Sequence, residues 1–191
     1  MRLPGIARGR GLAARAKLAA AALIGEPLDT TRLSLYRAEA FSAPLAAYLE
    51  TLLRGPSEWS VGERELLAAF VSKRNDCTFC YRLHRAVAER TAGARVVEAA
   101  FEDYRSAPVT RELRAVLGFA AQLTERPGQV GLGDAAAVLG AGVSRAALET
   151  AIHLTAALTA LNRVADALGF EIPSAAALAK HVEHVVNNGY A

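Results

Sequence analysis

The chain has 191 residues, 52% of them apolar but only 6% aromatic, and a formal charge of +3. That length suits one domain, or two small helical halves sharing a core built mainly of Ala, Leu and Val. No stretch reaches the roughly 20 apolar residues of a membrane helix. Lys and Arg are scattered among Asp and Glu with no basic, aromatic-interleaved stripe. Neither a membrane nor a nucleic acid is therefore an expected partner.

Residues 1–25 carry four Arg, one Lys and no acid. They resemble an organellar transit peptide, but the simpler reading is a basic first helix, Gly11–Ile24, ended by Gly25-Glu26-Pro27. They lack the apolar core and cleavage site of a secretory signal, so the cytoplasm is the expected compartment. Ala43–Arg54 follows with a helical apolar period at Leu45, Tyr48, Leu49, Leu52 and Leu53, and Gly55-Pro56 breaks it. Ser60, with Glu63 three residues on, forms a capping box for a helix over Val61–Lys73, with Leu66, Leu67, Phe70 and Val71 on its apolar side. Asn75 or Asp76 caps the next helix, from Cys77 to about Arg90, and Gly93 follows its end.

Further helices are predicted at about Ala94–Tyr104 and over Thr110–Thr124. Asp134 is the expected cap of a short helix ending at Gly140–Gly142, and Ser144 caps a long one, Arg145–Leu168, stopped by Gly169. Pro173 or Ser174 opens a last helix towards Asn188. No window alternates in the manner of a strand. The chain reads as one compact all-α domain, with a basic helix and connector at 1–35, a main helical body at 36–172 and a C-terminal helix at 173–191. A faint internal echo links Glu65–Asn75 with Glu149–Asn162.

Two cysteines are too few for a disulfide scaffold, but they stand as a CxxC pair within Glu65-x11-Cys77-Thr-Phe-Cys80-Tyr-Arg-Leu-His84. On a helix, Cys77, Cys80 and His84 share one face. Cys77 falls in the first turn, where the helix dipole favours a thiolate by about 0.3–1 kcal/mol. His84 lies one turn from Cys80 but about 10 Å along the axis from Cys77. Cys80 is thus the better candidate nucleophile and Cys77 the resolving partner. A reversal at Asn75-Asp76 would set Glu65 about 15 Å back from the turn and His84 about 12 Å forward, bringing the two level. A carboxylate beside an imidazole fixes its tautomer and raises its basicity. A Glu–His–Cys line handles protons while the second thiol closes a disulfide.

Rival readings of these residues are two inert buried thiols, or a zinc site in which Glu65 or His153 joins Cys77, Cys80 and His84. An isolated CxxC with no second Cys/His pair makes a poor zinc signature, so no metal is expected. His153, on an Ala/Leu-rich helix, reads as a packed core histidine. His181 and His184 lie near the tail, where solvation is expected. Asn162, Arg163 and Asp166 read as a polar contact within the core or at a subunit boundary.

The motif Glu-x11-Cys-x-x-Cys-x-x-x-His resembles that of the alkylhydroperoxidase (AhpD-like) branch of the carboxymuconolactone decarboxylase superfamily, and its peroxidase-related members in particular. Glu65, Cys77, Cys80 and His84 match it in type and spacing. The lead-in Pro56–Glu65, the stretch Leu117–Leu123 and Asn162–Gly169 are also similar, so the resemblance covers roughly 36–172. It implies an AhpD-like helical bundle assembled as homo-oligomers. It further implies a thiol-dependent peroxidase that reduces alkyl hydroperoxides. The second motif cysteine, here Cys80, passes through a sulfenic acid. The first, Cys77, donates a proton and resolves to a disulfide, while Glu65 and His84 organise deprotonation. The best-known peroxidases of the family carry a relay His between the cysteines, and this chain has Phe79 there. No nucleotide-binding glycine fingerprint is present, so no cofactor is expected and electrons arrive from a dithiol donor, a lipoyl group or a thioredoxin-like protein. The alternatives are a protein disulfide reductase or redox sensor using the same CxxC, and a non-catalytic metal-binding helical oligomer.

Overall fold

Ser60 starts the central helix of the bundle. Its Oγ accepts from the Glu63 N–H at 3.2 Å, and Glu63 Oε2 accepts from the Ser60 N–H at 2.8 Å, the reciprocal box the sequence predicts. In the computed structural model, which describes residues 2–9, 11–24, 27–36 and 43–190, this helix, α5, runs Val61–Arg74. Before it come α1 (Pro4–Ala7), α2 (Leu12–Ile24), α3 (Asp29–Tyr36) and α4 (Ala43–Arg54). After it come α6 (Thr78–Ala88), a wide π turn over Glu89–Gly93, α7 (Ala94–Asp103), α8 (Arg111–Glu125), α9 (Leu132–Gly140), α10 (Arg145–Leu168) and α11 (Ala175–Asn188). No strand occurs among the described residues. Gly25 and Glu26, the expected breakers after α2, lie outside them.

The sequence predicts one apolar side for α5, yet residues 66–71 are buried one after another. A helix buried all round is a central helix, and α6, α8 and α10 pack around it. Leu66, Leu67, Phe70 and Val71 meet Val116, Leu117 and Ala120 of α8 and Ala151, Leu154 and Leu158 of α10 in one core. The core is made chiefly of Leu, Ala and Val, as the composition requires. Trp59 anchors the approach to α5 by donating its indole N–H to the Ala147 carbonyl at 2.8 Å. The start of α5 lies so close to the π turn that a Cβ on Gly62 would stand 2.8 Å from Ala92 Cβ, so glycine is required there.

The α5–α6 reversal differs in detail from the sequence reading. Neither Asn75 nor Asp76 caps α6. Asn75 is the C-cap of α5, and Asp76 takes the left-handed conformation at φ 58°. The Asp76 N–H donates to Lys73 O at 3.1 Å and the Cys77 N–H to Ser72 O at 3.0 Å, the bond pair of a Schellman ending. Cys77 itself is the N-cap of α6. One residue thus ends one helix and the next opens the other, and the chain turns back on itself. Asp134 likewise lies inside α9 rather than capping it, accepting from the Gly131 N–H at 2.9 Å.

Candidate functional site

The hairpin brings Glu65 and His84 together, as the register argument requires. His84 Nδ1 lies 2.8 Å from Glu65 Oε2. A proton on Nδ1 held by the carboxylate leaves Nε2 as the basic nitrogen. Glu65 is fully buried, and two further groups absent from the sequence reading hold it there. Arg54, at the end of α4, pairs with Glu65 Oε1 at 2.6 Å. The Tyr190 hydroxyl donates to Glu65 at 3.0 and 3.1 Å and lies 3.2 Å from His84 Nδ1. The Arg54 guanidinium also covers the Tyr190 ring, 4.9 Å from its centroid. Tyr190 is tethered through its own N–H, which donates to Glu50 Oε2 at 2.6 Å. Burial resists ionisation of Glu65, but the His84 hydrogen bond and the charges of His84 and Arg54 outweigh it and hold the carboxyl below its ordinary range.

Both cysteines are free thiols. Cys77 is fully buried and Cys80 is half-buried. Because α6 begins at Thr78, Cys80 is its third residue and still lies in the first turn. Cys77, the N-cap, and Cys80 thus both lie within reach of the same helix N-terminus. The hydrogen bond from Cys77 lowers the Cys80 thiol to about 7. Burial opposes this, and the charge of His84 and a hydrogen bond from Asn162 assist it. The same contact with Cys80, together with burial, pushes Cys77 far up. The two thiols titrate as one pair, with Cys80 shifted down and Cys77 up.

A polar network fixes the cysteine loop from below. Asn162, fully buried on α10, donates to Ser72 Oγ at 3.1 Å and accepts from Asn75 Nδ2 at 3.0 Å. Arg163 donates to Asn75 Oδ1 at 3.1 Å. The polar contact expected of Asn162 and Arg163 is thus the support of the turn that carries Cys77. The faint echo does not extend to chemistry, because Glu149 is exposed where Glu65 is buried.

Above Cys80 opens a cavity of about 290 Å³. Its walls are largely apolar, with Leu49, Leu83, Leu158 and Phe170 among them, and Cys80, His84 and Tyr190 face it. Phe79, between the cysteines, meets Phe170 edge-on with centroids 5.1 Å apart and completes the wall. His181 also lines the cavity, contrary to the expectation that it is solvated. His153 is not in the core. It is exposed on the outer side of α10 and hydrogen-bonds Tyr48 Oη at 2.6 Å. No group of three or more His, Cys, Asp or Glu among the described residues is arranged to hold a metal ion.

The all-helical bundle has an AhpD-like fold, as two solved structures show. A solved structure of an uncharacterized peroxidase-related protein from Silicibacter sp. TM1040 superposes with a TM-score of 0.77 at 23% identity, covering 92% of this chain and 93% of that one. A second, described as an alkylhydroperoxidase AhpD core and uncharacterized peroxidase-related protein from Ralstonia eutropha JMP134, gives a TM-score of 0.71 at 21% identity, covering 91% and 92%. The likeness extends beyond the stretch 36–172 into the flanking helices. No family profile matches the chain, and no curated protein does.

Proposed function

We propose that the protein is a thiol-dependent peroxidase that reduces organic hydroperoxides through a Cys77/Cys80 dithiol–disulfide cycle. The observation that carries this reading is the asymmetry of the pair. Cys80 faces an apolar cavity beside His84, while Cys77 is sealed behind it. The peroxidase-related names of the two similar structures point the same way.

In this scheme the Cys80 proton passes to His84 Nε2, with Glu65 holding the imidazole. The thiolate attacks the terminal oxygen of the hydroperoxide. An S–O bond forms, the O–O bond breaks, and the alkoxide leaves as the alcohol with the proton returned from His84. The Cys77 thiol then attacks the Cys80 sulfur of the sulfenic acid. The disulfide forms and water departs with the Cys77 proton. An external dithiol restores both thiols. The largely apolar cavity beside Cys80 suits an organic hydroperoxide as substrate, and the dithiol donor of this reading is a lipoyl group or a thioredoxin-like protein. The cytoplasm, where the CxxC stays reducible, suits such a cycle. The test is consumption of cumene hydroperoxide with dihydrolipoamide as reductant. Turnover that Cys80→Ser abolishes is expected, and turnover no faster than that of the free dithiol would overturn the reading.

A further inference from the structure

Tyr190 lies just past α11, yet its hydroxyl occupies the junction of the Glu65–His84 pair. It is 3.0 and 3.1 Å from the two Glu65 oxygens and 3.2 Å from His84 Nδ1. Ionised Glu65 can only accept hydrogen bonds. Burial, with the charge of Glu65, holds the Tyr190 hydroxyl well above its ordinary range, so it keeps its one proton. That proton goes to the carboxylate, which leaves the Tyr190 oxygen able only to accept from the imidazole. Nδ1 is then the donor, towards Glu65 Oε2 at 2.8 Å and the Tyr190 oxygen at 3.2 Å. One arrangement of protons satisfies all these contacts, and in it the neutral ring leaves Nε2 bare.

The backbone is shaped to bring the hydroxyl there. Gly189 ends α11 at φ 80°, in the left-handed region that favours glycine. The Tyr190 N–H then donates to Glu50 Oε2 at 2.6 Å. A Cβ on Gly189 would stand 2.6 Å from Glu50 Oε1 and push that carboxylate off the Tyr190 N–H. From the other side, the Arg54 guanidinium pairs with Glu65 Oε1 and covers the Tyr190 ring. An aromatic ring that only filled space would need neither the hydroxyl nor this turn.

We propose that Tyr190 is a positioning residue for the base: its hydroxyl fixes the His84 proton on Nδ1 and so keeps Nε2 free to take the Cys80 proton, while Gly189 and Glu50 latch it in place. In this role Tyr190 exchanges no proton and acts through His84 alone. Without the hydroxyl, the ring is held by one carboxylate oxygen, and Arg54 competes for that carboxylate. The imidazole then populates both tautomers, and the one with a proton on Nε2 cannot accept from the thiol. The kinetic consequence rests on the peroxidase reading, whereas the tautomer does not.

Nitrogen-15 NMR of histidine-labelled protein reads the tautomer directly, with the His84 signals assigned by their loss in His84→Ala. It is recorded at about pH 8, where an imidazole is ordinarily neutral, in a Cys80→Ser background, so that no thiolate draws a proton onto Nε2. With Tyr190 intact, Nδ1 should show a protonated nitrogen and Nε2 a bare one. Tyr190→Phe should move the two signals towards each other. With Cys80 restored, oxidation by cumene hydroperoxide at neutral pH should fall about tenfold in stopped flow. Alkylation by iodoacetamide at about pH 9.5, where the thiolate forms without a base, should stay within about twofold. Gly189→Ala keeps the hydroxyl but releases the latch, and it should reproduce these changes even if Tyr190→Phe fails to fold. A proton on Nε2 with Tyr190 intact, or a tautomer unchanged in both variants, overturns the positioning role whatever the rates do. A shifted tautomer beside an unchanged peroxide rate overturns its link to the reaction. A wild type that reacts with hydroperoxide no faster than a free thiol overturns the peroxidase reading, while a tautomer lost in the variants would still uphold the positioning of His84.

Discussion

The protonated Cys77 thiol is the largest of the influences that hold Cys80 below its ordinary value, ahead of His84 and Asn162. Replacing it with Ser preserves a donor, whereas Ala removes one. The reaction of Cys80 with peroxide should therefore rise with pH to half its maximum near 7 in the wild type. The midpoint should move upward in Cys77→Ala, and by less in Cys77→Ser, in a stopped-flow pH series. Glu65 is the second sensitive residue. Its folded pKa lies below the ordinary 4.5, so its ionisation contributes stability that is present above about pH 4.5 and fades as the pH falls through the folded value. Glu65→Gln leaves Arg54 without its counter-charge and should destabilise the protein by about 3 kcal/mol at pH 7. Chemical denaturation should show the gap to wild type narrowing on acidification. Tyr190→Phe removes a hydrogen bond to that carboxylate and should cost about 1.5–3 kcal/mol in the same assay.

At the scale of elements, the Asp76 turn decides where both cysteines point. A left-handed residue other than glycine is strained by about 1–2 kcal/mol, and Asp tolerates it better than most. Asp76→Gly should raise stability by up to about 1 kcal/mol. Asp76→Val should lower it and slow the peroxide reaction, since Cys77 follows directly. Melting curves with parallel rate measurements check both. The hairpin was readable before the structure because its evidence is local. Ser60 and Glu63 mark the start of α5, polar residues mark the turn, and a rise of about 1.5 Å per residue sets Glu65 opposite His84. Arg54, Tyr190 and His181 were not readable in the same way. They come from α4, α11 and the segment after it, and no spacing rule joins residue 190 to residue 65. His153 was misread because the Ala-rich composition of α10 hides which side faces out. α1 and α3 are too short for a periodic signal to show.

Over the whole molecule, the fold puts its buried charged contacts at its chemical centre. A buried ion pair and a hydrogen-bonded histidine lie at the α5–α6 hairpin, with the Leu, Ala and Val core beside them. Outside that core, Tyr48 and Ile152 remain 40% and 38% exposed on α4 and α10, which pack together. An exposed aromatic and aliphatic pair of this kind suits a subunit contact. Light scattering at micromolar concentration should give a mass above that of the monomer, and Ile152→Asp should lower it. A monomeric wild type would remove the assembly from the account.

The central claim is that Cys80 meets the peroxide and Cys77 resolves it. The most direct test adds one equivalent of cumene hydroperoxide to reduced Cys77→Ser and Cys80→Ser and traps sulfenic acid with dimedone for mass spectrometry. The account predicts a dimedone adduct on Cys80 in Cys77→Ser and none on Cys77 in Cys80→Ser. An adduct on Cys77 in Cys80→Ser, with Cys80 unmodified in Cys77→Ser, would contradict it.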